Sequence, residues 1–370
     1  MASSQKSLKS ALNNFNKDKV EIKKDDMTAA TIVMEELKKD IFRYLKGLGV
    51  PMRPFELMGS VYEGLKVIFA NEFDLLMPLD LSDCEWDLEN FNEVATKAGY
   101  WRLKLGRNKH AAEVPVSKNE WCKSLSKYLD NGYLSAVKIR RAFQSFLQKW
   151  SDQYKKSAAP KYEINVRQGG PAVTLNVVYG SDRRELCIDF VPAIDLRPIG
   201  MPTNALVVAK PPPKVLRGAD VESLWLQSYC REEKERMNKI DQADNGCRKK
   251  CVKILKTIRL HNSQMGVLSS YVFKSILLKV CKDRKAEHWG SDSLADRFID
   301  LLKELHSCLK TKNLPSQFNS KVNILASLED PAIRNIETYL AKVIHKESYV
   351  NDLLTCSGTC KYCKGPSAKK

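Results

Sequence analysis

The chain has 370 residues, 43% of them hydrophobic and 28% charged, with a formal net charge of +17. This composition excludes a disordered polyelectrolyte, and the lack of any apolar run of about 18 residues excludes a membrane-spanning helix. The charge points to a polyanionic partner, nucleic acid or an anionic lipid surface, although solubility alone can also require it.

Residues 1–25 are polar and lysine-rich with no apolar h-region, which predicts a flexible basic arm and no secretory signal. The eleven cysteines, from Cys84 to Cys363, are then expected as reduced thiols in a cytoplasmic protein. From 27 to 48, Ile32, Val33, Leu37, Ile41, Leu45 and Leu48 recur at helical spacing, and Gly47 and Gly49 punctuate the end. A Gly59-Ser60 turn follows, then two strand-like runs, 65–69 and 73–79. Residues 118–154 read as mostly helical. Strands are expected over 172–179 and 185–191, joined by the hairpin signal Gly180-Ser181-Asp182. Pro211-Pro212-Pro213 marks a boundary, beyond which helices are expected at 221–240, 246–261, 266–282, 291–310 and 330–345. The pattern is α+β: an N-terminal lobe with a mixed sheet and one long helix, then a helical lobe. The expected divisions are 1–25 (arm), 26–209 (α+β lobe), 210–350 (helical lobe) and 351–370 (flexible Cys/Lys tail).

Chemistry concentrates at Gly59-Ser60 and Glu72-Phe73-Asp74. On a strand, i and i+2 point to one face, so Glu72 and Asp74 project together. Two hard oxygen ligands beside a small hydroxyl-bearing turn suit a Mg²⁺–nucleotide site. Two metal ions ask for a third carboxylate. Asp189, inside the apolar Leu186–Phe190 run, is favoured over Asp195, because a charge in such a strand needs a partner or a metal.

The stretch from Gly59-Ser60-Val61-Tyr62-Glu63-Gly64 to Asn71-Glu72-Phe73-Asp74 resembles animal cyclic GMP-AMP synthase and the cyclic GMP-AMP synthase-like receptors, within the Mab-21-like nucleotidyltransferases. Gly169-Gly170-Pro171-Ala172-Val173-Thr174-Leu175 with Ile188-Asp189, the basic run 247–256, Ser269-Ser270-Tyr271 and Asn313-Leu314-Pro315 continue it in order. The resemblance implies a bilobed nucleotidyltransferase fold making a cyclic dinucleotide from ATP and GTP. Glu72, Asp74 and Asp189 would hold two Mg²⁺ or Mn²⁺ ions, with Asp189 also contributing as general base. Gly59 and Ser60 would bind the donor triphosphate. Lys256, Ser270 and Tyr271 would contact nucleotide from the helical lobe, and Lys210 would lie near the acceptor. Leu226 stands where the vertebrate enzyme has a guanine-reading arginine, and leucine supplies none of arginine's bidentate base contacts.

From 248 to 259 there are six basic residues and no acidic one. On a helix, Lys249, Lys253 and Lys256 form one stripe and Cys251, Ile254, Leu255 and Ile258 the opposite, apolar one. Arg248, Lys249, Lys250 and Lys253, together with Lys23, Lys24, Lys38, Lys39, Arg43 and Lys46, are the expected duplex-binding surface. Cys230, Cys247 and Cys251 have no histidine between them, so the zinc element of the vertebrate DNA sensor is not expected, and double-stranded RNA is favoured over DNA as activator. Cys356, Cys360 and Cys363 supply three ligands without an obvious fourth, so zinc is not expected there either. No membrane partner is expected, and a dimer or higher assembly on the duplex is left open. The alternatives are an RNA-tailing transferase and a catalytically silent nucleic-acid-binding scaffold.

Overall fold

A computed structural model describes residues 2–81, 84–106, 125–167, 172–196, 206–212, 219–241, 246–345 and 347–355. The chain divides into two compact units, one of residues 24–63 and 70–234, the other of 1–23, 64–69 and 235–370.

The first helix, α1 (Ala2–Phe15), corrects the expected flexible arm. Leu8, Leu12 and Phe15 recur at i, i+4 and i+7, and all three are buried in the core of the helical unit, followed by Val20. Lysine and asparagine between them hide this stripe from a reading by composition. Leu12→Ala is expected to lower unfolding stability by about 2–5 kcal/mol. A denaturation midpoint equal to wild type would mean that the helix is frayed after all.

The sheet unit opens with α2 (Lys24–Gly47), which buries Ala30, Val33, Met34, Leu37, Ile41 and Leu45. Asp25 and Asp26 complement the helix dipole in its first turn. Gly49 (φ +73°) ends it: the Val50 N–H bonds to the Leu45 carbonyl and the Gly49 N–H to that of Lys46. Next come β1 (Glu56–Met58), the single turn α3 (Gly59–Tyr62) and β2 (Glu72–Leu79). The strand expected over 65–69 is absent. Ile68 has φ +66°, which an extended strand cannot contain, and its N–H bonds to the Val20 carbonyl within the helical unit.

The sheet continues with β3 (Trp86–Asn90), α4 (Glu93–Lys97), β4 (Tyr100–Leu105), β5 (Leu129–Asp130) and β6 (Tyr133–Leu134). The helix expected over 118–154 starts only at α5 (Ala136–Lys155), because Asn131-Gly132 turns a hairpin and the Ser135 side chain caps the helix; 118–124 lie outside the described residues. After it come β7 (Glu163–Arg167), β8 (Val173–Tyr179), β9 (Arg184–Asp195), β10 (Leu206–Val208) and β11 (Leu224–Ser228).

Among the described residues these eleven strands form one sheet, ordered β1-β2-β9-β10-β11-β4-β6-β5, with β3 on β4, β8 on β9 and β7 on β8. β2 and β9 pair in parallel and the other neighbours antiparallel, so the sheet is mixed and the fold class α+β. α5 buries Ile139, Phe143, Leu147 and Trp150, and the Trp150 indole donates to Asp40 of α2 at 3.0 Å. β11 moves the expected boundary at 210 further along the chain. Trp225 is fully buried in it and donates to the Leu134 carbonyl at 2.8 Å.

The helix expected from 221 therefore begins later, as α6 (Cys230–Asp241), and the division between units falls between its Lys234 and Glu235. The helical unit then contains α7 (Cys247–His261), α8 (Ser270–Asp283), α9 (Leu294–Lys310), α10 (Asp330–His345) and α11 (Glu347–Leu353). α9 illustrates its core, burying Phe298, Leu301, Leu302, Leu305 and Leu309 along one face. No described helix is long and apolar enough to cross a membrane.

Candidate active site

Period-two alternation builds the site. On β2, Phe73 is fully buried while its neighbours Glu72 and Asp74 leave from the other face. On β9, Leu186, Ile188 and Phe190 are buried and Asp189 alternates with them. The parallel register sets Asp74 opposite Asp189. Ligand oxygens of Glu72, Asp74 and Asp189 consequently lie within 4.8 Å of one another. Asp195, the rival third acid, is held elsewhere: it is buried with Arg231 at 3.0 Å and Arg53 at 3.6 Å.

Three carboxylates this close repel one another when ionised, and a cation relieves the repulsion. An all-oxygen donor set suits Mg²⁺ or Mn²⁺ over zinc. The residues fit the metal expected from the sequence. Thr174, opposite Asp189 on β8, donates its hydroxyl to Asp189 Oδ1 at 2.5 Å. This charge-assisted bond fixes the carboxylate's rotation. Thr174 lies within the sequence motif but has no role assigned there. The signal was present, a lone hydroxyl between buried Val173 and Leu175.

Gly59 and Ser60 begin α3 directly after β1. Gly59 has φ +76°, and a Cβ placed on it would lie 1.8 Å from Asp74 Oδ2. The backbone of the turn is thus pressed against the acid, and only glycine allows that approach. Ser60 is half-buried beside it.

Lys256, Ser270 and Tyr271 belong to the helical unit. Lys256 Nζ donates to the Leu65 carbonyl at 2.6 Å. Ser270 is exposed at the start of α8. Tyr271 is 38% exposed rather than in the core, with Lys274 Nζ 5.2 Å from its ring centre. Lys210 is exposed just past β10. Leu226 is half-buried, opposite Tyr100 on β4 and Val208 on β10, and offers a base no hydrogen bond.

The basic run at the start of α7 departs from the expected ridge. Arg248 and Lys249 are buried. Arg248 lies over the Trp289 ring at 5.0 Å and donates to the Ile240 carbonyl at 2.8 Å, so it packs the helical unit's interior. Lys250 reaches Asn13 at 3.2 Å, and Lys253 is half-buried. Of the second patch, Lys23, Lys24, Lys39, Arg43 and Lys46 are exposed, while Lys38 pairs with Glu35 at 2.6 Å. The Gly169-Gly170-Pro171 segment and Cys356, Cys360 and Cys363 lie outside the described residues.

Comparison with known proteins matches residues 61–239 to the Mab-21 protein nucleotidyltransferase domain and residues 247–342 to the Mab-21 protein HhH/H2TH-like domain. The chain is 26% identical over 365 residues to cyclic GMP-AMP synthase-like receptor 3 of Stylophora pistillata, covering 96% of this chain and 100% of that one. It is 26% identical over 366 residues to the cyclic GMP-AMP synthase-like receptor of Aethina tumida, covering 91% and 87% respectively. It is also 28% identical over 301 residues to mitochondrial dynamics protein MID51 of Danio rerio, covering 81% of this chain but spanning 60% of that protein. Two matched domains in order, with the three carboxylates inside the first, place this chain in the Mab-21 nucleotidyltransferase family.

Proposed function

We propose that the chain is a nucleic-acid-activated nucleotidyltransferase that joins ATP and GTP into a cyclic dinucleotide of the cyclic GMP-AMP type, as an innate immune sensor of double-stranded RNA. The observation carrying this reading is the cluster of Glu72, Asp74 and Asp189 against the Gly59-Ser60 turn. Similarity to two proteins named cyclic GMP-AMP synthase-like receptors over most of the chain supports the product class.

Bound Mg²⁺ or Mn²⁺ would supply charge neutralisation on the phosphates and a lowered pKa for the attacking hydroxyl. Glu72, Asp74 and Asp189 hold the ions. The Ser60 hydroxyl and the N–H groups of its turn hold the donor triphosphate. A ribose hydroxyl of the acceptor attacks the donor's α-phosphorus, the bond to pyrophosphate breaks, and Asp189 takes the proton. A second transfer closes the ring. Lys256 and Ser270 serve phosphates and Tyr271 stacks on a base, with Lys210 near the acceptor. The exposed Lys23, Lys24, Lys39, Arg43 and Lys46 provide the sequence-independent duplex surface.

Thr174→Val should lower kcat about tenfold with KM little changed, because a hydrogen bond to a charged group is worth about 1.5–3 kcal/mol and here sets the base's orientation. Unchanged kcat would remove Thr174 from the account.

The deciding experiment incubates the protein with all four nucleoside triphosphates, Mg²⁺ or Mn²⁺, and double-stranded RNA or DNA, then identifies products by mass spectrometry and nuclease sensitivity. A cyclic product dependent on duplex RNA is expected. Linear extension of an RNA primer would indicate a tailing enzyme, and equal synthesis without any duplex would end the sensor reading. Similarity to a protein named for mitochondrial dynamics and not for synthesis favours a second reading, a catalytically silent nucleic-acid-binding scaffold, which predicts no product under any condition.

A further inference from the structure

We propose that Arg231 and Lys234, one turn apart on α6, are positioning residues that set the Gly59-Ser60 turn against the acids. The inference rests on the nucleotidyl-transfer reading of that site.

The turn needs outside support. It is fed by β1, a three-residue strand at the sheet's edge, and it begins α3, a helix of four residues. Elements this short do not hold their own geometry. α6 fastens them at three points. Arg231 makes a bidentate pair with Glu56 of β1, Nη2 to Oε1 at 2.5 Å and Nε to Oε2 at 2.8 Å. Its remaining arm donates to buried Asp195 at the end of β9, at 3.0 Å. One guanidinium thus ties the strand entering the turn to the strand that carries Asp189.

Lys234 grips the turn's other side. Its ammonium donates to the Leu57 carbonyl at 2.8 Å and stands 5.5 Å from the Tyr62 ring centre. The Tyr62 phenol, neutral at neutral pH like any tyrosine, is pushed further up to about 12 by burial, with the Glu35 charge adding to it. Tyr62 in turn packs 6.2 Å from Phe73, the residue between Glu72 and Asp74. Glu56, Leu57 and Tyr62 therefore bracket Gly59-Ser60 on both sides. Because no clearance separates Gly59 from Asp74, movement at these anchors passes directly to the acid. Arg231 gives its donors to Glu56 and Asp195 and Lys234 reaches the Leu57 carbonyl, so their effect is on placement.

The test uses the full chain with Mg²⁺ and α,β-methylene ATP or GTP, read by calorimetry, together with melting temperature and steady-state kinetics. Lys234→Met should weaken analogue binding about tenfold and raise the donor's KM, with the melting temperature within a few degrees of wild type. Lys234→Arg, which keeps the charge and the donor, should restore both. Arg231→Lys should show the same KM effect, since a single ammonium cannot span Glu56 and Asp195. If Arg231→Lys proves unstable, Lys234→Met alone decides. Wild-type protein binding neither analogue would overturn the site reading and this proposal with it. Wild-type binding with equal binding and KM in Lys234→Met would overturn the positioning role alone.

Discussion

Asp74→Asn is expected to cut nucleotidyl transfer at least about a hundredfold while leaving the metal-free protein as stable as wild type or more so. Asparagine matches aspartate in shape, so the packing of β2 on β9 should survive. What changes is charge. Asp74 and Asp189 are half-buried with ligand oxygens within 4.8 Å, a spacing at which two like charges cost roughly 1–4 kcal/mol between the water and protein-surface limits. Removing one charge relieves that repulsion in the metal-free protein and, with only Glu72 and Asp189 left, weakens the site's hold on a cation. Mg²⁺ should therefore raise the melting temperature of wild type, by mass action on the folded state, and do so much less in the variant. The two readouts must move together. A variant that stayed active, or that still gained stability from Mg²⁺ as wild type does, would detach the acid cluster from the chemistry. Duplex binding should persist, because Lys39, Arg43 and Lys46 lie on α2.

Sequence logic reached the acids because their signal is local. The i, i+2 spacing of Glu72 and Asp74 needs only a strand, and the burial of Phe73 supplies it. Asp189 was separable from Asp195 only in part, since both lie on β9. What distinguishes them is remote. Arg53 and Arg231, far apart in the chain, meet at Asp195, while Thr174 meets Asp189. The errors have the same character. Arg248 reads as a surface cation until Trp289 arrives from forty-one positions on to cover it. Residues 65–69 have strand-like composition, but the Ile68 conformation and the burial of Leu65 in the helical unit override it. Pro211-Pro212-Pro213 looked like a domain boundary, yet β11 still had to complete the sheet beyond it. α1 and the late start of α5 are the misses with a local remedy, because Leu8, Leu12 and Phe15 already keep helical spacing and Asn131-Gly132 followed by Ser135 already reads as a turn and a helix cap.

Gly59→Ala should be more damaging than its single methyl group suggests, and a second glycine shows how to separate the causes. Gly59 and Gly132 both have positive φ, +76° and +82°. An alanine at either carries the left-handed backbone penalty of about 1–2 kcal/mol. At Gly132, in the hairpin between β5 and β6, an added Cβ meets nothing within 4 Å. At Gly59 it would fall 1.8 Å from Asp74 Oδ2 and 2.6 Å from the Asp74 carboxyl carbon, so the acid or the turn has to move. Gly132→Ala is thus expected to lose about 1–2 kcal/mol of stability and keep its turnover. Gly59→Ala should lose at least that stability and, through a displacement of about 1 Å at the acid, about a hundredfold in rate. Measured side by side, the activity difference isolates the contact with Asp74 from the backbone strain the two variants share. If both retained full activity, the close approach of the turn to Asp74 would carry no function, and Ser60 would have to be held by some other part of the fold.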